Sequence, residues 1–392
     1  MPTSRERALR AIGLEEPDQV PVFDYDINAP IASRILGRQA FVGFGGRFYE
    51  FTFEMLAGGR RDELVSRMKV DRVDLYKKLG LDIIPVRLVP GKVYNLPRRL
   101  GEHEWIFYPI EGTDEIWFKW RFNVEYDTMS QYDSSINQRG MEGLEEYVEA
   151  LESEEPSVSA EELELVEYVV KSVGEEMLVM GDVGTVFPIQ GWLTTFSRAL
   201  YTRPDLVRRF FHETARRGTE YINAMIDAGV EAISDGCDVA YKNGPFMSPK
   251  HFREFVLPAL KDHVRVSHKR GVPFIKHTDG NIKPIEGDLL VESGVDGYMA
   301  IEPAAGMDIG ELKRKYGDRI CLLGNVDCAY TLVHGREEDV RVETMEIIRA
   351  AASGGGLVVA SSNSIHSFVK LENFLAMIAT TREYGKYPLR LR

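Results

Sequence analysis

Eight short apolar runs, separated by longer amphipathic stretches, constrain this chain more than any other feature. They are Val20–Tyr25 (VPVFDY), Leu81–Val86 (LDIIPV), Leu178–Asp182 (LVMGD), Glu231–Asp235 (EAISD), Pro273–His277 (PFIKH), Gly297–Ile301 (GYMAI), Ile320–Gly324 (ICLLG) and Leu357–Ser361 (LVVAS). Most are continuously apolar rather than alternating, as in strands covered on both faces. Helix start and stop signals lie between them. Pro204 opens Pro204–Ala228, which Gly229 follows. Ser248 and Pro249 open a stretch interrupted at Pro258 and closed by Gly271. Asp308 precedes Ile309–Tyr316, and Val369–Tyr384 stops at Gly385. This alternation predicts an α/β fold, a (β/α)8 TIM barrel, with residues 1–392 as a single domain. A doubly wound open sheet is the rival, but no G-x-G-x-x-G motif follows the first strand.

Lys92–Val124 departs from the alternation. It is rich in aromatic and β-branched residues, with turn signals at Gly101 and Gly112-Thr113. It predicts a β-hairpin insertion after the second strand, serving as a lid, a partner surface or a structural decoration. The acidic stretch Glu142–Val169 reads as solvated helical surface, with a helix start at Ser159. Lys plus Arg is 48 against 61 Asp plus Glu, a formal charge of −13. With no basic stripe to offset it, that balance argues against a nucleic-acid partner. Cys237, Cys321 and Cys328 make no disulfide framework. The opening residues hold no signal-peptide core, and no run approaches the ~18 apolar residues of a membrane span. These features predict a cytoplasmic protein without a membrane partner; a homodimer is the ordinary expectation.

Barrels of this kind carry their chemistry at the carboxyl ends of the strands. Here those ends are polar: Asp24-Tyr25-Asp26, Asp182, Asp235 with Cys237 and Asp238 beyond, and His277-Thr278-Asp279-Gly280. Glu302, Asn325 and Asp327, and Ser361 to Ser364 follow. Carboxylates converging on one mouth are costly to desolvate without a cation. His277 and Asp279 can reach one metal if the chain turns at Gly280. An imidazole with oxygen donors suits zinc, iron, manganese or cobalt rather than Cu(I).

The stretches GPFMSPKHFREFVLPALKDHV, KRGVPFIKHTDGN, GVDGYMAIEPAAGMD, KYGDRICLLGNVD and ASSNSIHSFVKLENFLAMI stand in this order. Together with the opening RERALRAIGLEEPDQVPVF, they resemble the uroporphyrinogen decarboxylase superfamily over nearly the whole chain. The resemblance implies a (β/α)8 barrel and leaves two branches. True decarboxylases hold a polycarboxylate tetrapyrrole without metal, using arginines in an RQAGR-like motif after strand one. Here that place reads FDYDINAPIASR, with Arg34 only at its end. Asp24 and Asp26 would repel an octa-acid, which disfavours that reaction.

The other branch comprises cobamide-dependent methyltransferases. Their coenzyme M-specific members bind zinc through a His-X-Cys motif and a later cysteine. This chain keeps His277, places Asp279 at the first cysteine's position and has Asn363 near the second's, with Cys237 as a spare soft ligand. The resemblance, so altered, implies zinc or another divalent metal at His277, Asp279 and Asn363. It implies methyl transfer from a small, methoxylated donor to a corrinoid (cobalamin) carried by a partner protein. The metal would activate the ether oxygen. Asp235, Asp238 and Glu302 are the expected further ligands or proton donors. Tyr25, Phe187, Trp192 and Tyr241 would line an aromatic pocket beside Asp24, Asp26, Asp182, Asn325 and Asp327. The barrel mouth would dock the corrinoid protein, with Lys92–Val124 as a docking surface. The rivals are a metal-free lyase of the decarboxylase type and a metal-free barrel that carries a corrinoid or tetrapyrrole.

Overall fold

The structure is a computed structural model that describes residues 2–92, 96–110, 112–187 and 191–389. Residues 93–95 and 111 of the expected insertion lie outside the described residues. The strands are β1 (Ile83–Val86), β2 (Arg98–Gly101), β3 (Glu104–Phe107), β4 (Phe118–Asn123), β5 (Thr128–Ser134) and β6 (Leu178–Asp182). They continue with β7 (Ala232–Asp235), β8 (Ala240–Tyr241), β9 (Gly244–Pro245), β10 (Phe274–His277), β11 (Gly297–Met299), β12 (Cys321–Leu323) and β13 (Leu357–Val358). Seven of them form one parallel sheet in the order β1-β6-β7-β10-β11-β12-β13. Each falls within one of the apolar runs, because burial on both faces favours apolar side chains and keeps the few polar ones, such as Ser234 and Lys276, towards the carboxyl ends.

The first run, Val20–Tyr25, forms no strand of its own. It makes a single parallel bridge, Val22 to Val359. Phe23 N–H donates to the Val359 carbonyl, Val359 N–H to Pro21, and Asp82 N–H to the Val22 carbonyl. The segment therefore touches both edges of the seven-stranded sheet without a continuous ladder. Pro21 has no N–H to give. The Val22 N–H is taken by the Asp82 side chain (2.8 Å) instead of by backbone.

Alternation along the strands builds the centre. Ile83, Leu178, Met180, Ala232, Ile275, Met299, Cys321, Leu323 and Val358 form one buried cluster with Phe23, Tyr25 and helix residues Ala8, Ala11 and Ile12. The helix Ser4–Ile12 thus seals one end of the sheet's concave side. It starts with a capping box at Thr3 and Glu6, and Arg7 reaches Asp18 and Asp82 (2.6 Å). The outer faces of the same strands join a second, larger core with the surrounding helices, among them Pro204–Asp227, Leu257–Lys269 and Leu371–Tyr384.

Between β1 and β6 the chain forms an antiparallel sheet of four strands in the order β2-β3-β4-β5. It runs to Ser134, ten residues past the expected boundary at Val124. β5 (TMSQYDS) is polar apart from Met129 and Tyr132, so its sequence carries a weak strand signal. This sheet rests on the helix Gly46–Ala57: Phe53 meets Trp105 and Phe107 edge-on, at 5.9 and 4.6 Å between ring centres. Among the described residues no helix is long and apolar enough to cross a membrane.

Asp82 holds the first segment and the N-terminal helix to β1 at once. Asp82→Ala leaves the buried Val22 N–H without its acceptor and takes from Arg7 one of its two carboxylate partners. It should destabilise the fold by about 3 kcal/mol, read as a lower urea midpoint with an unchanged slope.

Candidate active site

Strand geometry decides which polar side chains meet. In β10, Ile275 faces the inner cluster, so His277 faces the same way and Lys276 the opposite way. In β6 the same parity carries Asp182 inward behind Met180. In β7 Ala232 faces inward, so Asp235 faces outward, towards Lys276. The two form an ion pair at 2.7 Å with neither side chain exposed. Lys276 Nζ also donates to the carbonyls of Asp235 and Cys237. Asp235 accepts from the N–H groups of Thr185, Val186 and Cys237. Burial pushes the Asp235 carboxyl up, but the Lys276 charge outweighs it and holds the group below the usual carboxylate range. The expectation that Asp235 is a ligand or proton donor is thereby corrected: it is ionised, saturated and turned away from the mouth.

Asp238, three residues on, does reach the mouth. His277 Nε2 stands 3.7 Å from Asp238 Oδ1 and 3.7 Å from Asp279 Oδ1. Ligand atoms of the three residues all lie within 4.8 Å of one another. Gly280 makes the turn with φ 85°, and a Cβ there would lie 2.6 Å from the Tyr241 carbonyl oxygen. Asp279 N–H donates to Asp238 (2.9 Å), and Gly280 N–H to Glu302 (2.9 Å). Burial, then the charges of Asp238 and Glu302, pushes the Asp279 carboxyl up to about 9. Burial also raises Asp238. Burial, with the charges of Lys276 and Arg87, pushes His277 down to about 3, so its imidazole is neutral. Asp279 Oδ1 and His277 Nδ1 are buried without hydrogen-bond partners.

The other expected residues sort by position. A cavity of about 480 Å³ is lined by Tyr25, Asp182, Asp238, His277, Asp279 and Asn363. Asn363 turns its amide nitrogen to Asp279 Oδ2 and so orients that carboxylate; its amide oxygen is its ligating atom. Tyr25 stacks on the His277 ring at 4.5 Å. Cys237 borders the cavity, but burial, with the Asp235 charge, pushes its thiol well up.

Other expected residues are engaged elsewhere. Asp24 lies fully buried behind the cavity, accepting from Ser361 N–H and Oγ. Asp26 is paired with Arg87 (2.9 Å) and Arg72 (3.5 Å). Neither presents free charge to a substrate, so repulsion by this pair does not exclude an anionic one. Phe187 and Trp192 pack in an aromatic cluster with Phe196, Phe210 and Phe211. Tyr241 sits half exposed on the rim, stacked on Phe246. Asn325 donates to the Ile301 carbonyl (3.1 Å), and Asp327 accepts from Ala329 and Tyr330 N–H.

Arg87 escaped the sequence reading. It follows β1 directly and bridges Asp26 and Asp182 (2.8 Å) under the Phe44 ring. An arginine just past an apolar run was the available signal. Phe44, Tyr49, Leu88 and Tyr221 complete much of the cavity wall.

The family model described as uroporphyrinogen decarboxylase (URO-D) matches residues 128–384. The chain belongs to the uroporphyrinogen decarboxylase family. Within this family it is 29% identical over 200 residues to a uroporphyrinogen decarboxylase of Neisseria gonorrhoeae, covering 49% of this chain and 52% of the relative. It is 27% identical over 225 residues to a methylcobamide:CoM methyltransferase of Methanosarcina barkeri, covering 57% and 63%. The chain thus spans about half to two thirds of the length of these curated relatives. A methyltransferase from Methanosarcina mazei has the same fold, with a TM-score of 0.67 at 21% identity over 97% of this chain and 99% of that one.

Lys276→Met leaves Asp235 as an uncompensated buried charge and should destabilise by about 3–5 kcal/mol, seen as a fall in unfolding midpoint at neutral pH. Asp24 gives a pH test. Burial raises its carboxyl to about 8, above its unfolded value of about 3.9. The folded state therefore holds the extra proton, and stability falls as pH rises from about 4 to about 8. Asp24→Asn should flatten that part of the stability–pH curve.

Proposed function

We propose that the chain is a methyltransferase that moves a methyl group from a small methoxylated donor to a corrinoid carried by a partner protein, with a divalent metal held by His277, Asp238 and Asp279. The observation that carries this reading is the gap between one neutral imidazole nitrogen and two carboxylates. At 3.7 Å the atoms are too far apart to hydrogen-bond. Two donors bound tetrahedrally at ~2.1 Å from one zinc ion stand about 3.4 Å apart. Asp279 Oδ1, buried and unpartnered, has the acceptor that an ion would use. The donor set of one nitrogen and two oxygens suits zinc or another borderline divalent ion.

When bound, such an ion acts as a Lewis acid on the ether oxygen and makes the departing phenolate a better leaving group. The chain's own residues do the rest. Asn363 fixes the Asp279 carboxylate, and Glu302 fixes the turn at Gly280 while adding charge that favours a cation. Tyr25, Phe44 and Tyr49 give the cavity an aromatic wall suited to a ring. The methylcobamide:CoM methyltransferase relative, whose methyl donor is a methylated cobamide, supports a corrinoid as reaction partner.

A second reading, a metal-free lyase acting on a small acid, is favoured by Arg87 in the cavity wall and by the identity to uroporphyrinogen decarboxylases. Metal analysis of the purified protein separates the two. Wild type should bind close to one divalent ion, and His277→Ala should weaken that binding by roughly 100-fold or more while leaving the circular dichroism spectrum unchanged. Mixed with reduced corrinoid protein and methoxybenzoates, wild type should convert Co(I) to methyl-Co(III), followed by absorbance. A protein that cannot be loaded with metal and methylates nothing would overturn this reading in favour of the lyase.

A further inference from the structure

We propose that Asp127 is a positioning residue that latches the four-stranded sheet and the helix Gly46–Ala57 onto the loop carrying Asn363 and Ser364, so that the two walls of the cavity move as one. The inference rests on that cavity being the substrate site. Asp127 lies in the turn between β4 and β5 with φ 48°, a left-handed conformation that Asp tolerates better than most residues. Three groups converge on it. Its carbonyl accepts from Gly46 N–H (2.7 Å). Its Oδ1 accepts from Arg47 N–H (2.7 Å), and its Oδ2 from Ser367 Oγ.

The first two contacts cap a helix that lacks a cap of its own: Gly45 stands at its N-cap with no side-chain bond. Asp127, 80 residues away, fills the role: its carbonyl takes the Gly46 N–H and its carboxylate the Arg47 N–H at the positive end of the helix. That helix carries Tyr49 into the cavity, and the loop before it carries Phe44. The third contact spans 240 residues to Ser367. Its loop is also pinned by Ile27 bridging Ile365, by backbone bonds of Ile365 with Asp26 and Asn28, and by the His366 ring against the Cys328 carbonyl. The same loop carries Asn363, which holds Asp279, and Ser364, which lines the cavity. One carboxylate therefore links the aromatic wall to the residue that orients a metal-ligand candidate. Gly45 and Gly46 permit the approach: a Cβ on Gly45 would lie 2.8 Å from Asp127 Oδ2, and one on Gly46 would lie 2.5 Å from Phe122.

Hydrogen exchange read by mass spectrometry tests the latch on the full chain, without substrate. Asp127→Gly removes the carboxylate without straining the turn, since glycine adopts positive φ freely. Asp127→Asn keeps acceptor and turn. Ser367→Ala cuts only the tie to the loop. In Asp127→Gly, exchange should rise about tenfold or more, the effect of one lost hydrogen bond of ~1.4 kcal/mol, in peptides covering both 46–57 and 361–368. Peptides of β10 should keep wild-type rates, and Asp127→Asn should restore both regions. Ser367→Ala should loosen 361–368 alone. Zinc added to wild type should slow exchange at 361–368 and also at 46–57; in Asp127→Gly the second effect should vanish. Faster exchange confined to the 123–128 turn, or zinc protection of 46–57 that survives Asp127→Gly, would overturn the latch. If zinc protects neither region in wild type, the metal reading fails, while the zinc-free comparison still decides the latch.

Discussion

The ion pair between Lys276 and Asp235 is the interaction on which the site depends. It sits between adjacent strands β7 and β10 with both side chains excluded from water. A lone charge there would cost several kcal/mol, so neither partner is free to move without the other. Through Asp235 the pair also holds Thr185 and Val186, beyond the end of β6. Through Lys276 it holds the Cys237 carbonyl. Three consecutive strand ends are thereby set in register. Asp238 follows the held carbonyl, and His277 follows the lysine; the meeting of these two is a consequence of the pair behind them.

In front of that support, the cavity divides into two electrostatic halves. On one side Arg72 and Arg87 balance Asp26 and Asp182, and the aromatic rings of Tyr25 and Phe44 cover the guanidinium of Arg87. On the other side Asp238, Asp279 and Glu302 face a neutral imidazole with no basic side chain among the cavity-lining residues on that side. The first half balances its own charges, while the second lacks a cation, which is the physical basis for reading a metal site there. The antiparallel sheet adds a wall that belongs to neither half, tied in at its β4–β5 turn.

Much of this was legible in the residues. The seven strands of the parallel sheet fall inside the apolar runs because burial on both faces demands that composition. The helix over Ile309–Tyr316 and the capped start at Ser159 followed from their terminal residues. His277 and Asp279 stood out by type and spacing around Gly280. Asp235 was misread although β7 held the answer: two-residue alternation after Ala232 turns it away from the mouth. Asp24 and Asn325 are polar residues at strand ends whose partners, Ser361 and the Ile301 carbonyl, are distant in sequence, while Asp327 closes its own turn on Ala329 and Tyr330; residue type alone does not reveal these ties. Arg87 and Asp127 were passed over because what distinguishes each is the company it keeps, residues 61 to 240 positions away.

The sequence by itself determined the alternating α/β plan and the kinds of donor that gather at the carboxyl ends of the strands, because these follow from local composition and period; the family was legible from its ordered motifs. Tertiary structure alone decided which carboxylates face inward, which are spent on buried cations, and how a turn of the inserted sheet comes to cap a helix and grip the last loop. Side-chain parity sets direction, but the partner that neutralises a charge is chosen by how the strands are stacked, and no local pattern encodes that.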